Sequence, residues 1–305
     1  MAQRMPPCWR KAKTIRQKAP NRAAEKRLVF DSRQLKTKGT TMKVIDAHAH
    51  IYPAKIADAA VHSISDFYGG VNVVHGGTAE DLLAAGKKAG VVRYLVFSCA
   101  TSAKQVQSIN NFIIGECQKH PEFIGVGTMH KGFEPYEEEI QRIYDQGLRG
   151  IKLHPDFQKF NLDDEDMFPI YAALEERGMF LISHIGDYRY GYSHPARLAN
   201  LARRFPKMNF IGAHFAGWSL WNENRDYLNL PNVYMDTSST MGFAGFEPAR
   251  DAFKRFDHKH IFFATDFPMW DHSDELKLLA QLGLDDQTFE DVVYNNFAEF
   301  IGLDG

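Results

Sequence analysis

KVIDAHAHIY, residues 43–52, is the stretch that decides how this chain folds. It begins as a short apolar, partly β-branched run of the kind found in buried strands, and it ends in an HxH pair, His48 and His50. Side chains alternate between the two faces of a strand, so Asp46, His48 and His50 are expected on one face. Thirteen histidines in 305 residues give about half an HxH by chance, so the pair needs support from the rest of the chain.

Seven further runs of strand character follow this one, and helical patterns separate them. The clearest helical patterns cover 79–90, 135–147, 167–178, 195–206 and 247–256, and several end in Gly or Pro, as helices do. The long segment 52–78 is interpreted as a loop with a short helix over one end of the fold. The eight predicted strands are VIDAH (44–48), VVRYLVFS (91–98), FIGVGTM (123–129), LRGIKLH (148–154), MFLISH (179–184), NFIGAH (209–214), NVYMDTS (232–238) and HIFFATD (260–266).

Eight strand–helix repeats over about 260 residues are typical of a single (β/α)8 TIM barrel. A doubly wound open sheet also alternates strands and helices, but it often carries a Gly-rich phosphate turn after its first strand. Here the first strand runs into HAHIYP, and the sequence contains neither GxGxxG nor a P-loop. We therefore predict an α/β fold with one barrel domain over residues 42–305.

Residues 1–41 differ sharply in charge from the rest of the chain. They hold 12 Lys/Arg and 2 Asp/Glu, whereas residues 42–305 hold 24 and 36, so the net charge of −2 hides a basic segment and an acidic body. Its charge is compatible with a nucleic-acid arm or a transit peptide, but the segment has three prolines and no clear amphipathic period. We expect a disordered basic extension, with Met42 as the natural beginning, and no nucleic-acid partner because the acidic body repels phosphate.

The composition bears on membrane insertion and on the cellular compartment of the protein. No run of 18 apolar residues is present, so no membrane span is expected. Three cysteines without a CxxC indicate a reducing compartment, and we predict a cytoplasmic protein. Many barrel enzymes form pairs, so a homodimer is considered, although no interface is marked in the sequence.

Polar side chains recur where the predicted strands end, which is the end of a barrel that carries chemistry. A second HxH, His258 and His260, precedes its strand and is set aside for that reason. Two histidines at i and i+2 on an inward face can both meet one ion, and a distant carboxylate can complete a catalytic centre with an open position. The side chains at the strand ends, besides the first pair, are Lys152, His154, His184, His214, Asp236 and Asp266.

Five motifs in order resemble the amidohydrolase superfamily, and most closely its branch that contains aminocarboxymuconate-semialdehyde decarboxylase. They are HAH after the first strand, GIKLHP at the fourth, SHIG at the fifth, GAHFAGW at the sixth and ATDFPM at the eighth. The resemblance implies a metal-dependent TIM-barrel enzyme whose metal ligands are His48, His50, His184 and Asp266. It further implies catalytic roles for His214 and Asp266. Many relatives carry a carboxylated lysine that bridges two metals where Lys152 stands, so one or two metals remain open.

The leading functional hypothesis is a metal-dependent hydrolase that attacks a small amide, lactone or ester with metal-activated water. The alternative is a nonoxidative decarboxylase of an aromatic or dienoic carboxylic acid, and a third reading is a non-enzymatic barrel. The divalent metal is expected to be Zn²⁺, with Mn²⁺ or Fe²⁺ as alternatives. Lys152, His154, Arg189 and Trp218 are candidate substrate-binding residues. Structural roles compete with that reading: an ion pair to Asp46 or Asp236 for the first two, a loop salt bridge for Arg189 and core packing for Trp218.

Overall fold

The computed structural model describes residues 36–37, 40–224 and 228–303. Eight parallel strands form the centre of the fold, in agreement with the eight predicted from the sequence. All eight are short, and the longest are the first two. The strands are β1 Val44–His50, β2 Val91–Phe97, β3 Phe123–Gly125 continuing as Gly127–Thr128, β4 Gly150–Leu153, β5 Phe180–Ser183, β6 Phe210–Gly212, β7 Val233–Asp236 and β8 Ile261–Phe262.

Each strand lies beside its neighbour in the chain, as in a TIM barrel. Parallel ladders join β1 to β2 and β2 to β3, and others run from β3 through to β8. The segment after β8 returns to β1: Ala47 N donates to Phe263 O at 3.0 Å and Asp266 N donates to His48 O at 2.9 Å. The predicted TIM barrel is confirmed, and these bonds place the end of β8 beside the HxH pair.

Helices surround the strands, and three of the described helices with nine or more residues had no predicted counterpart of that length. The helix in 52–78 is 14 residues long, Ala54–Phe67, rather than short. Val106–Lys119 and His272–Ala280 were not singled out from the sequence. None of the helices described is long and apolar enough to cross a membrane. The remaining α-helices are Ala79–Lys88, Tyr136–Asp145, Pro155–Gln158, Phe168–Glu176, Pro195–Arg204, Met241–Ala244, Phe246–Arg255, Asp286–Glu290 and Asn296–Phe300.

The amino-terminal segment is described only in part. Lys36–Thr37 and Thr40–Thr41 pair as two short antiparallel strands. The other residues of the predicted disordered extension, 1–35 and 38–39, lie outside the described residues. That expectation therefore stays a prediction.

Apolar packing closes the amino-terminal end of the barrel. Phe262 on β8 packs against Phe297 and Phe300 at ring-centroid distances of 5.1 Å and 5.2 Å. Phe180 on β5 meets Phe300 from the other side at 5.2 Å. This aromatic plug belongs to a buried cluster that includes Ile45 and Ala47 of β1. The polar strand ends therefore lie at the opposite, carboxyl-terminal end.

Asp46 does not share a face with the two histidines, contrary to the expectation from strand alternation. The pairing of β1 with β2 shifts register between Asp46 and Ala49, as at a β-bulge. Asp46 Oδ2 instead accepts a hydrogen bond from Thr265 Oγ1 at 2.6 Å and lies 2.9 Å from His272 Nε2. The bulge therefore turns Asp46 toward the helix His272–Ala280 and leaves His48 and His50 at the end of the strand.

Candidate metal centre

Three predicted ligands converge at the carboxyl-terminal end of the barrel. His48 Nε2 lies 3.2 Å from His50 Nε2 and 3.2 Å from Asp266 Oδ1. His50 Nε2 lies 3.5 Å from the same carboxylate oxygen. One ligand atom from each of the three side chains lies within 4.8 Å of the others. β1 supplies the two histidines, and the segment after β8 supplies the carboxylate.

The hydrogen bonds of His48 decide which of its ring nitrogens faces the cluster as an acceptor. Its Nδ1 lies 2.8 Å from Asp236 Oδ2, and since a carboxylate only accepts, Nδ1 carries the proton. Its Nε2 is then a lone pair, as in the carboxylate–histidine–metal arrangement. His48 Nε2 and Asp266 Oδ1 are both acceptors, and the neutral His50 ring can present a third at Nε2, so the donor set fits a divalent metal.

The charges around the cluster also favour a bound cation. Burial and Lys152 lower the pKa of His48, but Asp236 and Asp266 outweigh them and leave it raised. Burial lowers the pKa of His50 to about 4, so that ring is neutral at pH 7. Burial alone would raise the pKa of Asp266, yet His48 and His50 hold it well below its usual range. The carboxylate is therefore ionised and the second imidazole is unprotonated, which is the state that binds a metal.

Asp266 is held in place by its backbone and by a neighbouring hydroxyl. Its φ is +59°, in the left-handed region that Asp tolerates better than most residues. Ser239 Oγ donates to Asp266 Oδ2 at 2.5 Å, and Trp270 Nε1 donates to Ser239 Oγ at 2.8 Å. These bonds occupy Oδ2 and leave Oδ1 directed at the histidines.

His184, the fourth predicted ligand, lies in the same cavity but is not brought into the group of three. His214 Nδ1 lies 3.1 Å from the carbonyl oxygen of Ser238, so it is assigned the proton, and His214 Nε2 then accepts from His184 Nδ1 at 3.0 Å. The remaining nitrogen, His184 Nε2, is buried and has no hydrogen-bond partner among the described residues. It lies 3.9 Å from Asp156 Oδ2. It is therefore an unused acceptor, which suits a metal ligand.

His214 sits in an unusual turn. His214, Phe215 and Ala216 all have positive φ, at 62°, 50° and 50°. Its backbone N–H donates to Asp236 Oδ1 at 3.0 Å. Asp236 thus connects the turn after β6 to His48, and strained backbone of this kind clusters at functional sites.

Lys152 has no carboxylate partner within ion-pair distance among the described residues. Its side chain is 1% exposed, and Nζ lies 3.2 Å from His48 Nε2 and 4.9 Å from the centre of the Phe97 ring. The ion pair to Asp46 or Asp236 that competed with substrate binding is therefore not formed. Burial is the main reason that the pKa of Lys152 is lowered.

His154, predicted with Lys152 as a substrate contact, lines the cavity beside His184. The two rings stack with centroids 4.2 Å apart and planes 9° apart. His154 Nε2 is 2.9 Å from the hydroxyl of Tyr68, and its Nδ1 accepts from Phe157 N. Both ring nitrogens are therefore engaged within the protein.

Arg189 and Trp218 contact the cavity wall from behind. Arg189 forms a forked pair with the buried Asp187, with Nη2 to Oδ2 at 2.7 Å, and Nη1 donates to Phe67 O at 2.6 Å. Trp218 stacks on Phe243 at 4.8 Å and meets the Tyr68 ring edge-on at 5.3 Å. The competing structural readings, a loop salt bridge and core packing, describe these contacts better than direct substrate binding does.

These residues surround a cavity of about 850 Å³. Its floor is formed by the cluster with Lys152, and its outer walls come from the helices Ala54–Phe67 and Val106–Lys119. A volume of this size is ordinary for an enzyme that binds a small organic molecule. The second HxH lies elsewhere, in a short helical turn at His258–His260 before β8, where His260 Nδ1 is bonded to the carbonyl of Val233.

Comparison with known proteins identifies the family. Residues 45–303 match the amidohydrolase family. The chain belongs to the amidohydrolase family. The predicted resemblance is thereby confirmed, and with it the prediction of an amidohydrolase-type enzyme. No curated protein matches the chain.

Solved structures share the amidohydrolase fold at low sequence identity. A TIM-barrel protein from Bordetella bronchiseptica is 18% identical with a TM-score of 0.68, over 86% of this chain and 99% of that one. A 5-carboxyvanillate decarboxylase from Novosphingobium aromaticivorans, complexed with manganese and a nitrobenzoic acid, is 18% identical with a TM-score of 0.66, over 88% and 99%. A probable 2-pyrone-4,6-dicarboxylic acid hydrolase from Acinetobacter baumannii is 15% identical with a TM-score of 0.66, over 86% and 100%. Decarboxylases of dihydroxybenzoic acids also share the fold.

Three residues of this amidohydrolase site escaped assignment from the sequence. Asp236 was noted at a strand end, but its role in orienting His48 depends on a contact across 188 positions of chain. Ser239 follows the same strand, and a polar run after a strand is the signal that could have found it. Tyr68 lies in the segment interpreted mainly as a loop, and nothing in the sequence marked it.

Proposed function

We propose that this protein is a nonoxidative, metal-dependent decarboxylase of an aromatic or dienoic carboxylic acid. One observation carries the proposal: Lys152, buried and with no carboxylate at ion-pair distance in the part of the chain that the structure describes, lies beside a cluster of metal-ligand type. An unpaired charge is costly to bury, and a substrate carboxylate would supply the missing partner. The decarboxylases of similar fold support the same choice.

The metal would be held by His48, His50 and Asp266, with His184 as the fourth ligand. A bound divalent ion would supply Lewis acidity toward a substrate oxygen. Zinc remains the predicted ion, and the manganese in the Novosphingobium decarboxylase makes Mn²⁺ the first alternative to test. Elemental analysis of the purified protein would show which ion binds and whether one or two are held.

The residues of the chain divide the remaining work. Lys152 would bind the substrate carboxylate and hold it over the cluster. Decarboxylation breaks the bond to the carboxyl carbon, CO2 leaves, and the neighbouring carbon takes up a proton. That proton comes from water: Asp266, which its low pKa keeps ionised, would accept a hydrogen bond from the water and relay its proton to the carbon. His214 would accept a hydrogen bond from the substrate once its Nε2 is released from His184.

The test is CO2 release from a panel of hydroxybenzoic and dienoic acids by the metal-loaded protein. We expect turnover of at least one acid, and a loss of roughly 100-fold or more in kcat/KM for Lys152→Met, as for other groups that position a reacting anion. Lys131→Met serves as the control, because Lys131 pairs with Asp164 and Asp166 on the surface. A panel without CO2 release, or equal activity in both variants, contradicts the proposal.

Hydrolysis is the second candidate, favoured by the hydrolase of similar fold and by the room for water in the cavity. Hydrolysis predicts that oxygen from labelled water enters the organic product, whereas decarboxylation predicts an organic product without labelled oxygen. Mass spectrometry of one turnover therefore separates the two reactions.

The setting of the reaction is proposed from the sequence. A small-molecule acid is the expected partner, without nucleic acid or membrane. A cytoplasmic location and a homodimer are further proposals, which cell fractionation and light scattering would test.

A further inference from the structure

The helix Ala54–Phe67 directs its apolar side chains into the cavity. Ala57 is the residue of this helix that is buried in the protein. Ile56, Ala60, Ile64 and Phe67 line the cavity instead, and their spacing of three and four residues places them on one helical face. Ile56 is 46% exposed, a large value for an isoleucine. This apolar stripe therefore lacks the cover that a core would give it.

A second wall also carries apolar side chains. Ile109 and Phe112 of the helix Val106–Lys119 line the cavity together with the polar Ser108 and Asn111, and Met269 lines it as well. Apolar surface is stabilised by removal from water, so apolar side chains on both helices favour an apolar occupant between them. Because the walls continue from the metal cluster outward, that occupant is the non-reacting part of the substrate.

The size of the cavity points in the same direction. A cavity of about 150 Å³ is enough to bind benzene. This cavity measures about 850 Å³. A monocyclic acid with its carboxylate at Lys152 would leave most of that volume to water.

The wall is also held in position. Arg189, paired with Asp187, donates to the carbonyl oxygen of Phe67 at the end of the helix. Tyr68 follows directly and is bonded to His154 at 2.9 Å. These contacts anchor the carboxyl-terminal end of the stripe beside the site.

We propose that the substrate is a carboxylic acid with an extended apolar body, such as a ring that carries an alkyl or aryl substituent. The placement of its carboxylate at Lys152 rests on the proposed function. Its apolar body lies between the helices Ala54–Phe67 and Val106–Lys119. The specificity of the enzyme then resides in Ile56, Ile64 and Phe112.

The test uses benzoate, 4-butylbenzoate and 4-hexylbenzoate as probes, titrated calorimetrically into the metal-loaded full chain. A buried methylene contributes roughly a threefold to fourfold gain in affinity, so we expect 4-butylbenzoate to bind about thirtyfold or more tightly than benzoate. A dissociation constant that stays level or rises along the series overturns the proposal.

Matched variants locate the effect on the helix. Ile64→Asn is expected to reduce the gain in affinity from benzoate to 4-hexylbenzoate by about tenfold or more. Ala59→Asn, an exposed position on the same helix, is expected to keep the full gain. Ile56→Asn, at a more exposed site, replaces Ile64→Asn if that variant does not fold. A full gain in the wall variants contradicts the inference.

Failure of the inference and failure of the proposed function give different results. Binding of the alkyl series does not require turnover. A chain-length gradient without CO2 release from any acid would overturn the decarboxylase and retain the apolar walls. CO2 release from unsubstituted acids, without a gain in affinity along the alkyl series, would retain the decarboxylase and overturn the apolar walls.

Discussion

Asp236 links three parts of the site at the scale of single residues. Its Oδ2 accepts from His48 Nδ1 at 2.8 Å, and its Oδ1 accepts from the backbone N–H groups of His214 and Ser238, each at 3.0 Å. Because His48 must present Nε2 as a lone pair, the carboxylate acts on the metal through the tautomer of the ring.

Asp236→Asn is expected to weaken metal binding by roughly 10- to 100-fold. The amide oxygen would take the backbone N–H groups, so its NH2 would face His48 Nδ1 and move the ring proton to Nε2. Competition with a chelator measures the affinity. Asp257→Asn is the control, because Asp257 caps the helical turn before β8 and lies outside the cavity. Unchanged affinity in Asp236→Asn would show that the carboxylate does not set the tautomer.

The ligand assignment has its own test. His48→Ala and Asp266→Ala should each lose most of the bound metal, since each removes a ligand from the cluster. His258→Ala, in the second HxH, should keep a full complement. Elemental analysis of the purified proteins decides the matter, and equal metal in all three variants refutes the assignment.

At the scale of secondary-structure elements, Asp271 stabilises the start of the helix His272–Ala280. Its side chain accepts from Ser273 N at 2.9 Å, and its Oδ2 lies 3.3 Å from His75 Nε2. His75 is the main reason that the pKa of Asp271 is lowered to about 2 from its usual 3.8. A lowered carboxyl pKa stabilises the fold above pH 4, and this stability is lost as the pH falls toward 2.

Asp271→Asn keeps a capping side chain and removes the charge. We expect it to lower the free energy of unfolding at pH 7 by about 1–2 kcal/mol, and we expect the difference from the parent protein to shrink between pH 4 and pH 2. Urea unfolding at several pH values measures both effects. Asp274→Asn, an exposed position on the same helix, should show little of either. A difference that is constant with pH would rule out the charge as the cause.

The elements also show which features the sequence could predict. The strand ends were predictable because β-branched runs mark the strands and the carboxyl ends of barrel strands meet at one rim. The helix Ala54–Phe67 was underestimated because its apolar face lines a cavity instead of packing on the core. A loop salt bridge was one of the two predicted roles of Arg189, but its partner, Asp187 two residues earlier, depends on a loop conformation that pattern alone does not reveal.

At the scale of the whole molecule, the barrel brings residues more than 200 positions apart into one cluster. His48 and Asp266 belong to the first and last strand segments, and their contact depends on the backbone bonds between those segments. A metal that binds both would therefore tie the ends of the barrel together, and it would bind only the folded state.

Removal of the metal should accordingly lower the midpoint of thermal unfolding. A ligand present at 100 times its dissociation constant adds about 2.7 kcal/mol to stability, which corresponds to a shift of several degrees. Differential scanning calorimetry of chelator-treated and metal-loaded protein measures the shift. The Asp266→Ala variant serves as the control and should show almost none. An identical midpoint with and without metal would indicate that the cluster does not hold the ion.

The aromatic plug of Phe180, Phe262, Phe297 and Phe300 affects how substrate enters and product leaves the enzyme. It seals one end of the barrel, so among the described residues the cavity opens only toward the helices above the strand ends. Substrate and product must then pass through the same opening. Product has to dissociate before the next substrate molecule can bind, so accumulated product should act as a competitive inhibitor.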